Sequence, residues 1–135
     1  MSLDKSTLLK AFNTHFFDFL DEIISILPEN NEVKVARNSF DTIRRANPTS
    51  IAKVWNLHVH TPYSEIIENG DITFFFDKDY SKELITVQNN KTVLEIIDKI
   101  RAPLKSMSPE NIVHSTKYMQ NLGRLSALYI QAAGL

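Results

Sequence analysis

Residues Leu8–Leu27, LLKAFNTHFFDFLDEIISIL, limit what this chain can fold into more than any other stretch. On a helix Leu9, Phe12, Phe16, Phe19, Ile23 and Leu27 recur at alternating spacings of three and four residues, so they form one stripe, which Leu8, Leu20 and Ile24 widen. Burying about nine such side chains contributes roughly 1.5–3 kcal/mol each before chain entropy offsets most of it, a scale that suffices to nucleate a core. Phe17 and Ile26 lie off the stripe. A helix of this kind is either nearly surrounded by others or leaves apolar surface for a partner.

The rest of the chain reads as the material that surrounds it. Its 135 residues, 43% hydrophobic and 23% charged, fit a single globular domain over residues 1–135. Three glycines are few for a fold of strands and tight turns. A net charge of -1 leaves no bulk positive field of the kind a dedicated nucleic-acid or membrane-surface binder carries. The absence of cysteine excludes disulfide frameworks, thiolate nucleophiles and zinc sites with sulfur ligands, and agrees with a reducing intracellular setting. The N-terminal MSLDKST lacks a signal-peptide pattern, and no uncharged apolar run reaches the length of a membrane span.

In chain order, Ser2 or Ser6 is expected to cap the first helix with Asp4 in its first turn, and Pro28 to end it. The spacing of Val33, Ala36, Phe40 and Ile43 predicts a second helix from about Glu32 to Ala46. Asn47-Pro48 is expected to stop it and to start a third from Pro48 to His60, burying Ile51, Val54 or Trp55, and His58 or Val59. Thr61-Pro62 repeats the device and predicts a short fourth helix, which Asn69-Gly70 closes. Ile72–Phe76 fits a buried strand or a helical turn, and the helical turn is expected because no partner strand is evident. Further helical pieces are expected near 82–87 and 92–100. Ser108-Pro109 then opens a final helix to about Ala132, with Ile112, Thr116, Met119, Leu122, Leu125, Tyr129 and Ala132 on one stripe.

Few residues suggest chemistry. Asp77-Lys78-Asp79-Tyr80-Ser81 begins like a calcium loop, then has Lys82 where the loop needs glycine and Gln88 where it needs glutamate. Glu65, Glu68 and Asp71 are spaced for one face of the fourth helix and read as solvated carboxylates. His15, among phenylalanines, reads as a core-edge histidine. Lys34, Arg37, Arg44 and Arg45 are the candidate anion-facing patch on the second helix. The surplus aromatics Phe17, Trp55, Tyr63, Phe75 and Phe76 are the candidate partner surface, since exposed aromatic rings anchor protein interfaces.

Two resemblances attach to these residues. Leu57-His58-Val59-His60-Thr61-Pro62-Tyr63-Ser64 resembles the first metal-binding motif of the polymerase-and-histidinol-phosphatase hydrolases, which would make His58 and His60 metal ligands of a phosphoesterase. That family projects the pair from a strand and adds later histidines and carboxylates. Here helix signals bound the pair, only His114 follows, and residues two apart on a helix point away from each other. FNTHFFDFLDEIISILPEN, Ala46-Asn47-Pro48, Trp55 followed by PYSEIIENGD, FFFDKDYS and YMQNLGRLSALY together resemble small helical proteins of the nucleocytoplasmic large DNA viruses of algae and other protists. That resemblance implies a virion component or an accessory factor.

The combined expectation is an all-α bundle of five to seven helices around a central aromatic N-terminal helix, non-enzymatic, without cofactor or metal. It is expected to bind protein partners, virion components or copies of itself among them, within an infected host cell or packaged in a particle. A nucleic-acid accessory role is the alternative, and the metal-dependent phosphoesterase a minor one.

Overall fold

The computed structural model of the protein describes residues 4–71, 103 and 105–134. Its elements are α1 (Lys5–Ile26), α2 (Asn31–Ala46), α3 (Ser50–Trp55), a π-helical turn (Asn56–His60), α4 (Thr61–Glu68) and α5 (Pro109–Ala133), with no strand among the described residues. The expected helical turn at 72–76, the turn cluster at 77–81 and the pieces near 82–87 and 92–100 lie outside the described residues.

The cap of α1 is Asp4, where Ser2 or Ser6 was the sequence expectation. The Thr7 backbone N–H donates to Asp4 Oδ1 at 2.7 Å, and that bond holds the carboxyl below its ordinary range. Ser6 lies inside the first turn. A carboxylate at this position also meets the positive end of the helix dipole, which a hydroxyl does not exploit.

α1 packs most extensively against α5 and also touches α2 and α3. Phe16 is fully buried where these elements meet. Its ring centroid lies 4.8 Å from that of Phe40 on α2, 5.8 Å from Phe17, and 6.0 Å from both Phe12 and Trp55. Three of these contacts are edge-to-face, the arrangement that opposes a ring's negative face to a positive edge.

α2 starts on Asn30, whose Oδ1 accepts from the Val33 N–H at 3.1 Å. Its stripe is buried at Val33, Ala36 and Phe40 and partly covered at Ile43. The following joint differs from expectation: α3 begins at Ser50, not Pro48. Asn47 Oδ1 accepts from both the N–H (3.1 Å) and the hydroxyl (2.8 Å) of Thr49, making a side-chain turn that delays the helix. Asn13 of α1 donates to the Pro48 carbonyl at 3.0 Å and ties the joint to the first helix.

No break separates the expected third and fourth helices. His60 keeps helical backbone angles (φ -68°, ψ -54°), and the Thr61 N–H reaches back five residues to the Asn56 carbonyl. Proline inside an α-helix collides with the carbonyl four residues earlier, and a wider turn just ahead of Pro62 relieves that collision. The run buries Ile51, Val54, Trp55, His58 and Val59 together, not one of each alternative pair. α4 ends as the sequence predicts: Gly70 takes φ +88°, the Asp71 N–H bonds to Ile66 O at 3.1 Å and the Gly70 N–H to Ile67 O at 2.9 Å.

α5 is bounded by the signals that predict it. Ser108 Oγ accepts from the Asn111 N–H at 3.3 Å, and Gly134 closes the helix at φ +74°. Thr116, Met119, Leu122 and Tyr129 of its stripe are buried, Ile112 and Leu125 are partly covered, and Ala132 is exposed.

Candidate functional site

The candidate aromatic surface and the candidate anion patch meet at Phe17. Only 4% of Phe17 is exposed, and Trp55 is 1% exposed, so both belong to the interior and neither is available to a partner. The reason for Phe17 is the arginine face of α2: the guanidinium carbons of Arg37 and Arg44 lie 5.3 and 4.2 Å from its ring centroid. A cation over a ring face is attracted by the ring's quadrupole, and the long side chains exclude water from it. Trp55 is enclosed because it lies beside Phe16 in the α1–α3 contact. Tyr63 is half-buried, and Phe75 and Phe76 lie outside the described residues.

The arginines are also paired locally, three of them sharing two carboxylates. Arg37 is paired with Asp21 of α1, Arg44 with Asp41, and Arg45 with the other oxygen of Asp41 at 2.9 Å. Arg44 and Arg45 further offset the negative C-terminal end of α2. Lys34 is exposed. The patch is therefore a lid of paired charges over Phe17 with one lysine to the side. Sequence reading found the cations but not Asp21, the partner of Arg37, which comes from another helix.

The histidines of the His58-x-His60 motif divide between core and seam. His58 is 7% exposed, whereas His60 is half-buried with its ring against Gly123 of α5. A Cβ at Gly123 would stand 2.7 Å from His60 Nδ1, so the approach exists only because that residue has no side chain. Burial pushes the His60 pKa below its ordinary value, with Glu68 pulling the other way. Around this contact Asn56 Nδ2 donates to Ser126 Oγ at 3.5 Å, and Ser126 donates to the Gly123 carbonyl at 2.8 Å. Gln120 donates to the Ile67 carbonyl at 2.9 Å, and Arg124 pairs with Glu68 at 2.6 Å. Among the described residues no group of three or more histidine, aspartate or glutamate side chains is arranged to hold a metal ion. Gly123 and Ser126 carried no sequence signal beyond being small residues on α5.

On the opposite side of α5, rings and charges alternate. Tyr118 stacks on Phe19 at 5.2 Å, tilts over His15 at 4.8 Å and meets His114 edge-on at 5.8 Å. His114 Nε2 lies 3.6 Å from Glu22. Burial lowers the His15 pKa, against the pull of Asp18; burial, Glu22 and Asp18 raise that of the Tyr118 hydroxyl. His15 is half-buried, at the edge of the core.

Large aliphatic side chains do reach solvent: Val35, Leu57, Ile66, Val113 and Leu128 are between 39% and 61% exposed. Among the described residues no helix is long and apolar enough to cross a membrane. No family model, curated protein or solved structure matches the chain.

Proposed function

We propose that this chain is a non-enzymatic helical module that binds other proteins, as a structural or assembly component of a virus. The observation that carries the proposal is the exposure of Leu57 (58%) and Ile66 (39%) on the α3–π–α4 run, whose other side is committed to α5. Large aliphatic side chains left at the water boundary on an otherwise docked helix are what a partner would cover. The proposal sets exposed Leu57 and Ile66 in place of buried Phe17 and Trp55 and keeps half-buried Tyr63, which lies between the two aliphatic residues in sequence. The viral setting rests on the resemblance of segments of the sequence to small helical proteins of large DNA viruses, and the comparisons add nothing to it. The nucleic-acid alternative is weaker, because Asp21 and Asp41 stand among the arginines it would use.

Affinity purification from producing cells, after nuclease treatment, tests the proposal with the native chain beside a Leu57→Asp/Ile66→Asp variant of matched thermal stability. Proteins retained by the native chain and lost from the variant support it. Identical sets for both chains remove the aliphatic surface, and loss of every partner on nuclease treatment transfers the case to the nucleic-acid alternative.

A further inference from the structure

A cleft of about 370 Å³ opens at one end of the bundle, well within the size of small-molecule sites. Lys5, Ser6 and Leu9 of α1 form one wall, Thr49 of the turn before α3 another, and Tyr129 and Ala133 of α5 the third. Its lining includes neither Leu57 nor Ile66, and it does not depend on that reading.

Several polar groups in this cleft have unused capacity. Tyr129 lines the cleft, and although the residue as a whole is 5% exposed its hydroxyl stays open to solvent and has no hydrogen-bond partner among the described residues. The Lys5 ammonium makes no ion pair among the described residues. Thr49 spends its proton on Asn47 Oδ1 at 2.8 Å and keeps its lone pairs. Asp4, beside Lys5 in sequence, directs its carboxylate onto the Thr7 N–H at 2.7 Å, so the start of α1 is already capped and Lys5 supplies the positive charge of the cleft. Leu9 and Ala133 provide apolar wall.

We infer that this cleft binds a carboxylate carried on an apolar body, with Lys5 and Tyr129 holding the carboxylate and Leu9 and Ala133 contacting the body. A cation and a phenolic donor lining one cleft suit a singly charged oxyanion, and the apolar wall disfavours inorganic phosphate. The same chemistry is offered by a small aliphatic acid and by an apolar C-terminal residue of a peptide.

Amide NMR titration of the full chain with hexanoate and with N-acetyl-leucine tests the inference, with N-acetyl-leucinamide and inorganic phosphate as controls. Saturable shifts at Ser6, Leu9 and Ala133 are expected with the two carboxylates and not with the controls. Lys5→Ala and Tyr129→Phe should each weaken binding about tenfold, as removal of one charge-assisted hydrogen bond does. Lys5 is exposed, so its variant keeps the test decisive if Tyr129→Phe disturbs the fold. Tighter binding of N-acetyl-leucine points to a chain terminus as the source and tighter hexanoate to a free acid; either upholds the site. No saturable shift, equal binding of the amide or of phosphate, or unaffected variants would overturn it.

Discussion

α1 and the α3–π–α4 run both lie along α5, yet they are held there by different means. α1 presents rings: Phe19, with His15 at its side, meets Tyr118, and Phe16 gathers Phe12, Phe17, Phe40 and Trp55 behind it. The π-interrupted run presents His60, Asn56 and backbone carbonyls, and α5 answers with Gly123, Ser126 and Gln120. The aromatic seam is deep and depends on volume. The polar seam is thin and depends on register, because one added methyl group at position 123 meets an occupied position. A seam built on volume loses stability in proportion to the atoms removed; one built on register fails when an atom is added.

The largest expected effect lies in the ring cluster behind the aromatic seam. Phe16→Ala empties a fully buried site with four ring neighbours and should cost about 3–5 kcal/mol, read as a large fall in the chemical-denaturation midpoint. A loss under about 1 kcal/mol would mean that the rings re-close over the gap and that volume is not what holds this cluster.

The polar seam should respond with a change of sign. Glycine to alanine in a helix interior ordinarily gains up to about 1 kcal/mol. Gly123→Ala should instead cost about 1–2 kcal/mol, because the new Cβ must displace His60. In a His60→Ala background the same substitution should stabilise. A double-mutant cycle of unfolding free energies measures this directly, and equal effects in both backgrounds would deny the contact.

The smallest effect concerns pH and involves both seams. His15 and His60 have folded-state pKa values below the ordinary 6.5, each from burial, with Asp18 and Glu68 limiting the shift. Above that value both states hold the rings neutral and stability is flat. As pH falls below it the unfolded chain takes up protons first, so stability declines until the folded-state values are passed. Melting temperatures between pH 7.5 and 5.5 should therefore fall slightly in the native chain, and less in His15→Asn/His60→Asn.

Local signals in the sequence marked most of the described boundaries. Ser108-Pro109, Asn69-Gly70 and the stripes of α1, α2 and α5 are legible because caps, left-handed glycines and helical periodicity act within a few residues. The π-turn was not legible. Whether an N–H reaches back four residues or five is decided at Asn56–His60 by Pro62 nearby and by Gly123 far along the chain, and no local pattern encodes the second. The fate of Phe17 was hidden for a related reason. It lies off the stripe of its own helix, and its cover is assembled from Arg37 and Arg44 of α2, with Arg37 held by Asp21 of α1. Paired charges from separate helices cannot be recognised until the helices are side by side.

The π-turn has one more consequence. A backbone hydrogen bond there spans five residues where it spans four elsewhere, so the run from Ser50 to Glu68 takes up one residue more than an unbroken α-helix would between the same two ends. The surplus is accommodated where Leu57, 58% exposed, stands clear of the core. Were the same residues to form an uninterrupted α-helix, everything after the turn would be rotated through about a quarter of a revolution. That rotation would carry His60 off Gly123 and Ile67 out of the interior, so the wider turn is what keeps the two halves of the helix facing the same neighbour.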